Sequence, residues 1–267
     1  MFCFMNENIK INYILPRKGY HVLLGLHKSG TTWVNSYIHK KYRKIGMTMP
    51  PNNRYTELFG NNDDDYFYNV SIQDRIKFLE HCRSLNLEVN IKHHLPEVME
   101  IWSWFKEFYK DNDVLVLKRR NLYKHILSHQ FHFCLKQYLP SYENGTGLMA
   151  LRLEKVKENQ RGLDTLKSSI LKYKAQFKFN EYHFESFCRS IRFIEEEIMP
   201  TMKPQALWVE DLTHEWLCER FNVEMKKPQV LPYNLKYELY FPKDELDKLK
   251  AATQDILDKE FKYYGYK

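Results

Sequence analysis

Apolar residues in this chain fall into short unbroken runs separated by longer stretches with helical spacing. His21-Val22-Leu23-Leu24-Gly25 is one such run, bounded by polar and turn residues as a buried parallel strand is. Leu26 to Gly30 read as a loop. Thr31 to about Lys44 read as a helix with Trp33, Val34, Tyr37 and Ile38 on one side, continued by Lys41 or Tyr42. Gly46 to Asp65 is rich in Pro, Asn and Asp and reads as loop. Ser71 to Arg83 has helical spacing, with Ser71 as cap. Leu87 to Ile91 is the second strand candidate and Val114 to Leu117 the third. Between them, Pro96 to Tyr109 is expected to be helical, with Pro96 near the first turn.

Asn121 to Gln137 continues as a helix after the third strand. Leu139 to Gly147 is loop, followed by two long helical stretches, about Leu148 to Phe177 and Glu181 to Met199. Ala206 to Val209 is the fourth strand candidate and His214 to Phe221 a short helix. A linker with Pro228 and Pro232 leads to a last helix from about Lys243 to Phe261. Strands alternating with helices predict an α/β fold, a single domain over residues 1–267 with a central parallel sheet flanked by helices. In such sheets, ligands gather at the carboxyl ends of the strands.

Composition narrows the classes. The chain has 267 residues, 43% of them hydrophobic, enough for one sizeable core. No apolar run reaches the ~18–20 residues of a membrane span. The opening stretch, Met1 to Lys10, turns polar at Asn6, too soon for a secretory signal core, so a cytoplasmic location is expected. The five cysteines are scattered and none forms a CxxC pair, which argues against a disulfide framework or zinc knuckle. A formal charge of +7 points to an anionic partner. Much of the Lys and Arg alternates with Glu and Asp along helices, the pattern of a solvated face. His125, His129 and His132 share helical spacing, but no HExxH accompanies them, and no metal is expected.

The chemistry concentrates in Gly25-Leu26-His27-Lys28-Ser29-Gly30-Thr31-Thr32-Trp33. A helix start directs backbone N–H groups at one point and favours an anion there. Gly30 permits close approach, and Ser29, Thr31 and Thr32 add hydroxyls. The spacing of Gly25 and Gly30 fits a nucleotide triphosphatase loop, yet Thr31 stands where that motif has Lys, and the lysine comes earlier as Lys28.

Lys28-Ser29-Gly30-Thr31-Thr32-Trp33 resembles the KSGTTW signature of the cytosolic-type sulfotransferases. The resemblance implies a P-loop-containing, sulfotransferase-like fold. It also implies that this loop, including Trp33, binds 3′-phosphoadenosine 5′-phosphosulfate (PAPS) and releases adenosine 3′,5′-bisphosphate. His27 replaces the family's usual Pro. Lys92-His93-His94-Leu95-Pro96 is similar to the family's KTHLP segment, with His93 in place of Thr. This implies His94 as catalytic base and Lys92 beside the transferred group. An imidazole of pKa about 6.5 suits proton removal from an acceptor at neutral pH. His93 is an alternative base.

Two further matches follow in order. Arg120 and Ser128, eight residues apart after the third strand, resemble the family's pair for the donor's 3′-phosphate. A guanidinium fork suits that group, and Arg119 is an alternative. Leu122 replaces the usual Pro. Val209-Glu210-Asp211-Leu212 resembles a YEDL turn with Val209 in place of Tyr, and Trp33 remains to stack on adenine. The RKGxxGDWKN segment and the KxxxTVxxxE dimer motif are absent from the sequence. Lys226, Lys227 and Lys236 stand as substitutes, and the oligomeric state stays open.

The resemblance makes the chain an enzyme that transfers a sulfuryl group to a small, partly apolar acceptor, with no nucleic acid and no membrane span. The acceptor pocket is expected from residues 46–70 and 138–150 and from Tyr55, Phe59, Trp102, Trp104, Phe131 and Tyr142. A P-loop kinase using ATP, a basic nucleic-acid-binding module and a non-catalytic nucleotide binder are the competing readings.

Overall fold

The computed structural model describes residues 14–16, 21–44, 71–84, 87–89, 92–138, 167–225 and 236–267. Within these, the strands in chain order are β1 (Ile14–Pro16), β2 (His21–Gly25), β3 (Leu87–Val89), β4 (Lys92–His94), β5 (Asp113–Lys118) and β6 (Gln205–Trp208). The helices are α1 (Thr31–Lys44), α2 (Ile72–Ser84), α3 (Leu95–Glu100), α4 (Trp102–Phe108), α5 (Leu122–Tyr138), α6 (residues 167–172), α7 (Glu181–Phe193), α8 (Met199–Met202), α9 (His214–Phe221) and α10 (Lys243–Lys259). The chain is α/β. The single-domain expectation meets a division by internal contacts into two compact units. The first comprises residues 1–118 and 190–225, the second 119–189 and 226–267.

The first unit carries the sheet. Its strand order is β4-β2-β5-β6, and every neighbouring pair is parallel. β2 and β5 lie inside, and their residues Val22, Leu23, Leu24, Val114, Leu115, Val116 and Leu117 are at most 4% exposed. Burial on both faces is what an unbroken Val/Leu run is for. From β2 the chain goes to one side, to β4, and then crosses to β5 on the other. That reversal creates a crevice at the carboxyl ends of β2 and β5.

Three expectations shift. The second strand, read at Leu87 to Ile91, is two strands. Leu87–Val89 pairs antiparallel with Ile14–Pro16 outside the main sheet, and the main-sheet strand is the polar Lys92–His94. Asn90 and Ile91 lie outside the described residues. The helix read as Pro96 to Tyr109 breaks at Ile101 (φ −116°, ψ 19°), a turn that lets both Ile101 and Phe105 be buried. The helix read as Glu181 to Met199 passes through a wider π-turn, Ile194–Ile198, before resuming.

The described residues of the second unit are mostly helical. Phe131 of α5 is 1% exposed and sits among Phe177, Tyr237 and Tyr240. α10 packs on α5. The last turn, Phe261–Tyr264, ends at Gly265 in the left-handed region (φ 87°), which turns the chain back and buries Tyr266 to 2% beside Phe261. The Lys267 amide then donates to the Arg120 carbonyl (2.8 Å), and the Leu122 amide donates to the Lys267 carbonyl (2.9 Å). No described helix is long and apolar enough to cross a membrane.

Candidate functional site

The loop between β2 and α1 is folded tightly over the end of its strand. A side chain on Gly25 would meet Thr31 Cγ2 at 2.6 Å and Ser29 Oγ at 2.7 Å, so only glycine fits. The Leu26 carbonyl accepts two hydrogen bonds from Ser29, from its amide (3.2 Å) and its hydroxyl (2.7 Å). Lys28, exposed at the tip, holds φ 64°, a left-handed conformation that costs a non-glycine residue about 1–2 kcal/mol. Gly30 follows at φ 87°, and a Cβ there would lie 2.9 Å from Val209 Cγ2. The loop therefore rests on the residue that follows β6.

α1 begins as an anion site begins. The amides of Trp33 and Val34 both donate to the Gly30 carbonyl (2.9 and 3.2 Å), so the helical ladder starts there. The Thr31 and Thr32 amides precede any intrahelical acceptor. The first turn carries no acidic residue to oppose the positive end of the helix dipole. These groups, with the Lys28 ammonium, gather positive charge at the start of α1. Ser29 differs from its expected part. It is fully buried and its hydroxyl proton goes to Leu26, so it braces the turn and offers no outward donor. Thr31 is 4% exposed, with its methyl over Gly25.

The parallel register of β2 and β4 sets Leu23 opposite Lys92, Leu24 opposite His93 and Gly25 opposite His94. His94 is thus the last residue of a strand whose neighbour ends where the Lys28 loop departs. Adjacent strands are about 4.8 Å apart, so the two chain segments share one edge of the sheet. On the other side of β2, Gly25 is opposite Leu117.

Trp33 is half-buried and meets Tyr37 edge to face, with ring centroids 6.3 Å apart. The buried Tyr37 hydroxyl lies 2.7 Å from His214 Nδ1, and burial raises its pKa. Cys218 Sγ is 3.6 Å from His214 Nε2. This Tyr–His–Cys contact ties α1 to α9.

In the second unit, Arg120 is half-buried just before α5 and Ser128 is 5% exposed two turns into it. Asn121 caps the helix, its Oδ1 accepting the Lys124 amide at 2.8 Å. Two of the three histidines of α5 lie in the aromatic packing of this unit. His125 and His129 are 0% and 7% exposed and both rings pack on Phe187, and the described residues hold no group of three metal ligands. Among the described residues, the thiols Cys134, Cys188 and Cys218 form no disulfide, and burial pushes the Cys134 thiol up to about 11.

Of the rings expected around an acceptor, Phe131 is core, for the packing reason given above. Trp104 stacks on Phe108 at 4.5 Å and donates to Glu80 Oε1 at 2.9 Å, and Trp102 meets Phe193 at 5.2 Å. Tyr55, Phe59, Tyr142, Lys226 and Lys227, with loops 46–70 and 139–150, lie outside the described residues.

Sequence reasoning missed one group at the same sheet edge. Lys118, the last residue of β5, is buried, with its Nζ 2.7 Å from Glu195 Oε1 and 4.4 Å from the centre of the Trp208 ring. A charge closing the run Val114-Leu115-Val116-Leu117 was the available signal, but nothing in the spacing pointed to Glu195. Comparison with models of known protein families, with curated proteins and with solved structures returned no match.

Proposed function

We propose that the chain is a sulfotransferase that moves a sulfuryl group from PAPS to a hydroxyl or amine of a small, partly apolar acceptor. The observation that carries the reading is the pairing of Gly25 with His94 at the carboxyl edge of the sheet. It brings the segment with the proposed base beside a loop whose lysine, amides and helix dipole favour an anion. The KSGTTW-like signature supplies the identity of that anion.

In this reading His94 removes the acceptor's proton as the acceptor oxygen or nitrogen bonds to sulfur. The bond from sulfur to the 5′-phosphate oxygen breaks, and adenosine 3′,5′-bisphosphate leaves with the electron pair. Lys28 offsets the charge that grows on that oxygen. Lys92 and the amides of Thr31 and Thr32 hold the sulfonate, and Trp33 stacks on adenine. Arg120 and Ser128 take the 3′-phosphate by resemblance. Positioning and fixed positive charge do the work, as in phosphoryl transfer, and the scheme calls for no metal. Ser29 supports the loop.

Adenosine 3′,5′-bisphosphate at a hundredfold excess over its dissociation constant is expected to stabilise the protein by about 2.7 kcal/mol, read as a thermal shift. Stabilisation by ATP with Mg²⁺ alone would favour the kinase instead. With an acceptor found by screening against PAPS, Lys28→Ala and His94→Ala should each lower kcat at least ~100-fold. Near-normal turnover in either variant removes that residue's role. Binding without transfer to any acceptor would leave a nucleotide binder.

A further inference from the structure

The Lys118–Glu195 pair is an odd thing to find inside a small sheet. Both side chains are 5% exposed, and two buried charges cost several kcal/mol each to desolvate before their attraction offsets any of it. Replacing such a pair with apolar side chains is often neutral or stabilising, so core stability alone does not explain it.

Its location does suggest a reason. Lys118 is opposite Trp208 in the β5–β6 register, and its ammonium lies 4.4 Å from the centre of that indole ring. The residue after Trp208 is Val209, whose methyl would be 2.9 Å from a Cβ on Gly30. Leu117, before Lys118, is the other wall at Gly30 (3.7 Å to Cδ2) and is the partner of Gly25. Both ends of the Lys28 loop thus rest on residues that flank Lys118 or its cross-strand partner.

Glu195 reaches this place from the π-turn Ile194–Ile198. Ile194 and Ile198 are fully buried, while Glu196 and Glu197 are exposed. Such turns insert extra backbone into a helix and recur at functional sites. Here one delivers a carboxylate to the carboxyl end of a central strand.

We propose that the Lys118–Glu195 pair is a positioning device for the Lys28 loop. The salt bridge fixes the end of β5, Lys118 fixes Trp208, and their chain neighbours Leu117 and Val209 hold Gly25 and Gly30 in the anion-binding conformation. Lys118 is a positioning residue and not a catalytic one, since its ammonium faces Glu195. The consequence for donor binding rests on the sulfotransferase reading; the effect on the loop does not.

The test is hydrogen–deuterium exchange on the full, ligand-free chain, comparing wild type with the near-isosteric double variant Lys118→Met/Glu195→Met. Exchange over residues 26–34 should be at least about tenfold faster in the variant, while β2 and α10 keep their protection and the melt stays cooperative. Unchanged exchange over 26–34 in a folded variant overturns the proposal, as does uniform acceleration everywhere. Should the double variant not fold, Trp208→Leu keeps the ion pair, removes its link to the loop, and is held to the same criterion. Titration with adenosine 3′,5′-bisphosphate separates the two claims. Wild-type binding that weakens about tenfold in the variant extends the proposal to the donor. If the wild type does not bind, the functional reading falls, and the exchange result still decides the role of the pair.

Discussion

Lys28 concentrates the tension between folding and use in one residue. Its left-handed backbone favours glycine, and a lysine there is a local cost that the proposed part of its ammonium in anion binding would explain. Lys28→Gly should therefore leave stability unchanged or raise it by up to about 1–2 kcal/mol, a few degrees in melting temperature, while binding of adenosine 3′,5′-bisphosphate weakens at least tenfold. A lower melting temperature would mean that Lys28 is chiefly a structural residue. The sequence assigned close backbone approach to Gly30 and only a spacing to Gly25, and the structure gives each a reason: a methyl over Gly25 and Val209 against Gly30. It did not show the strain at Lys28, because lysine carries no signature of that conformation. Nor did it show that Ser29 faces inward, since a serine in a loop reads alike whether it braces the turn or contacts a ligand.

Elements were readable where one local rule dominated. His21–Gly25, Thr31–Lys44 and His214–Phe221 fall where apolar runs and helical spacing put them. Ser71 caps α2 as expected, its Oγ accepting the Asp74 amide at 3.2 Å and donating to the Asp74 carboxylate at 2.7 Å. The second strand misled because Leu87–Val89 has the apolar look of a core strand while Lys92–His94 does not. Among the described residues β4 pairs only with β2, and an edge position tolerates polar residues. The π-turn left no trace in the pattern, since it changes the hydrogen-bond step and not the residue types. At the start of α5, Tyr266 anchors the segment whose last residue brackets Arg120. Tyr266→Ala should cost about 3–5 kcal/mol, as large aromatic truncations do, and should speed amide exchange at Leu122. Protection at Leu122 equal to wild type would show that the Lys267 bridge does not depend on that ring.

At the scale of the whole molecule, alternating strands and helices predicted the α/β class, but not the strand order. The division into two units was largely hidden, because two of its three boundaries fall after Lys118 and inside α7, and only the third, after Met225, adjoins the linker with Pro228 and Pro232. Each unit has its own buried carboxylate, and that of the second unit carries a prediction about acid. Glu245 in the second unit accepts Lys248 Nζ (2.6 Å) and the Phe179 amide (2.8 Å). The hydrogen bond from Lys248, then that from Phe179, hold its pKa below the usual carboxylate value against the opposing effect of burial. A depressed native pKa stabilises above the unfolded value of 4.5, and that contribution is lost as pH falls through the folded value. Glu245→Gln should destabilise by about 1–3 kcal/mol at pH 7, since it weakens the partner of a part-buried amide. In urea unfolding, the gap from wild type should narrow as pH drops below 4.5. A gap that stays constant to pH 3 would remove the titration from the account.

The π-turn carries a further implication for descent. A bulge of this kind is one residue more than the helix needs, so a single ancestral insertion would create it and a single deletion would erase it. Erasing it would rotate the carboxylate of Glu195 off the sheet and strand an ammonium in the interior. Relatives with the shorter helix should therefore carry an uncharged side chain where this chain has Lys118, the two features arising and disappearing together.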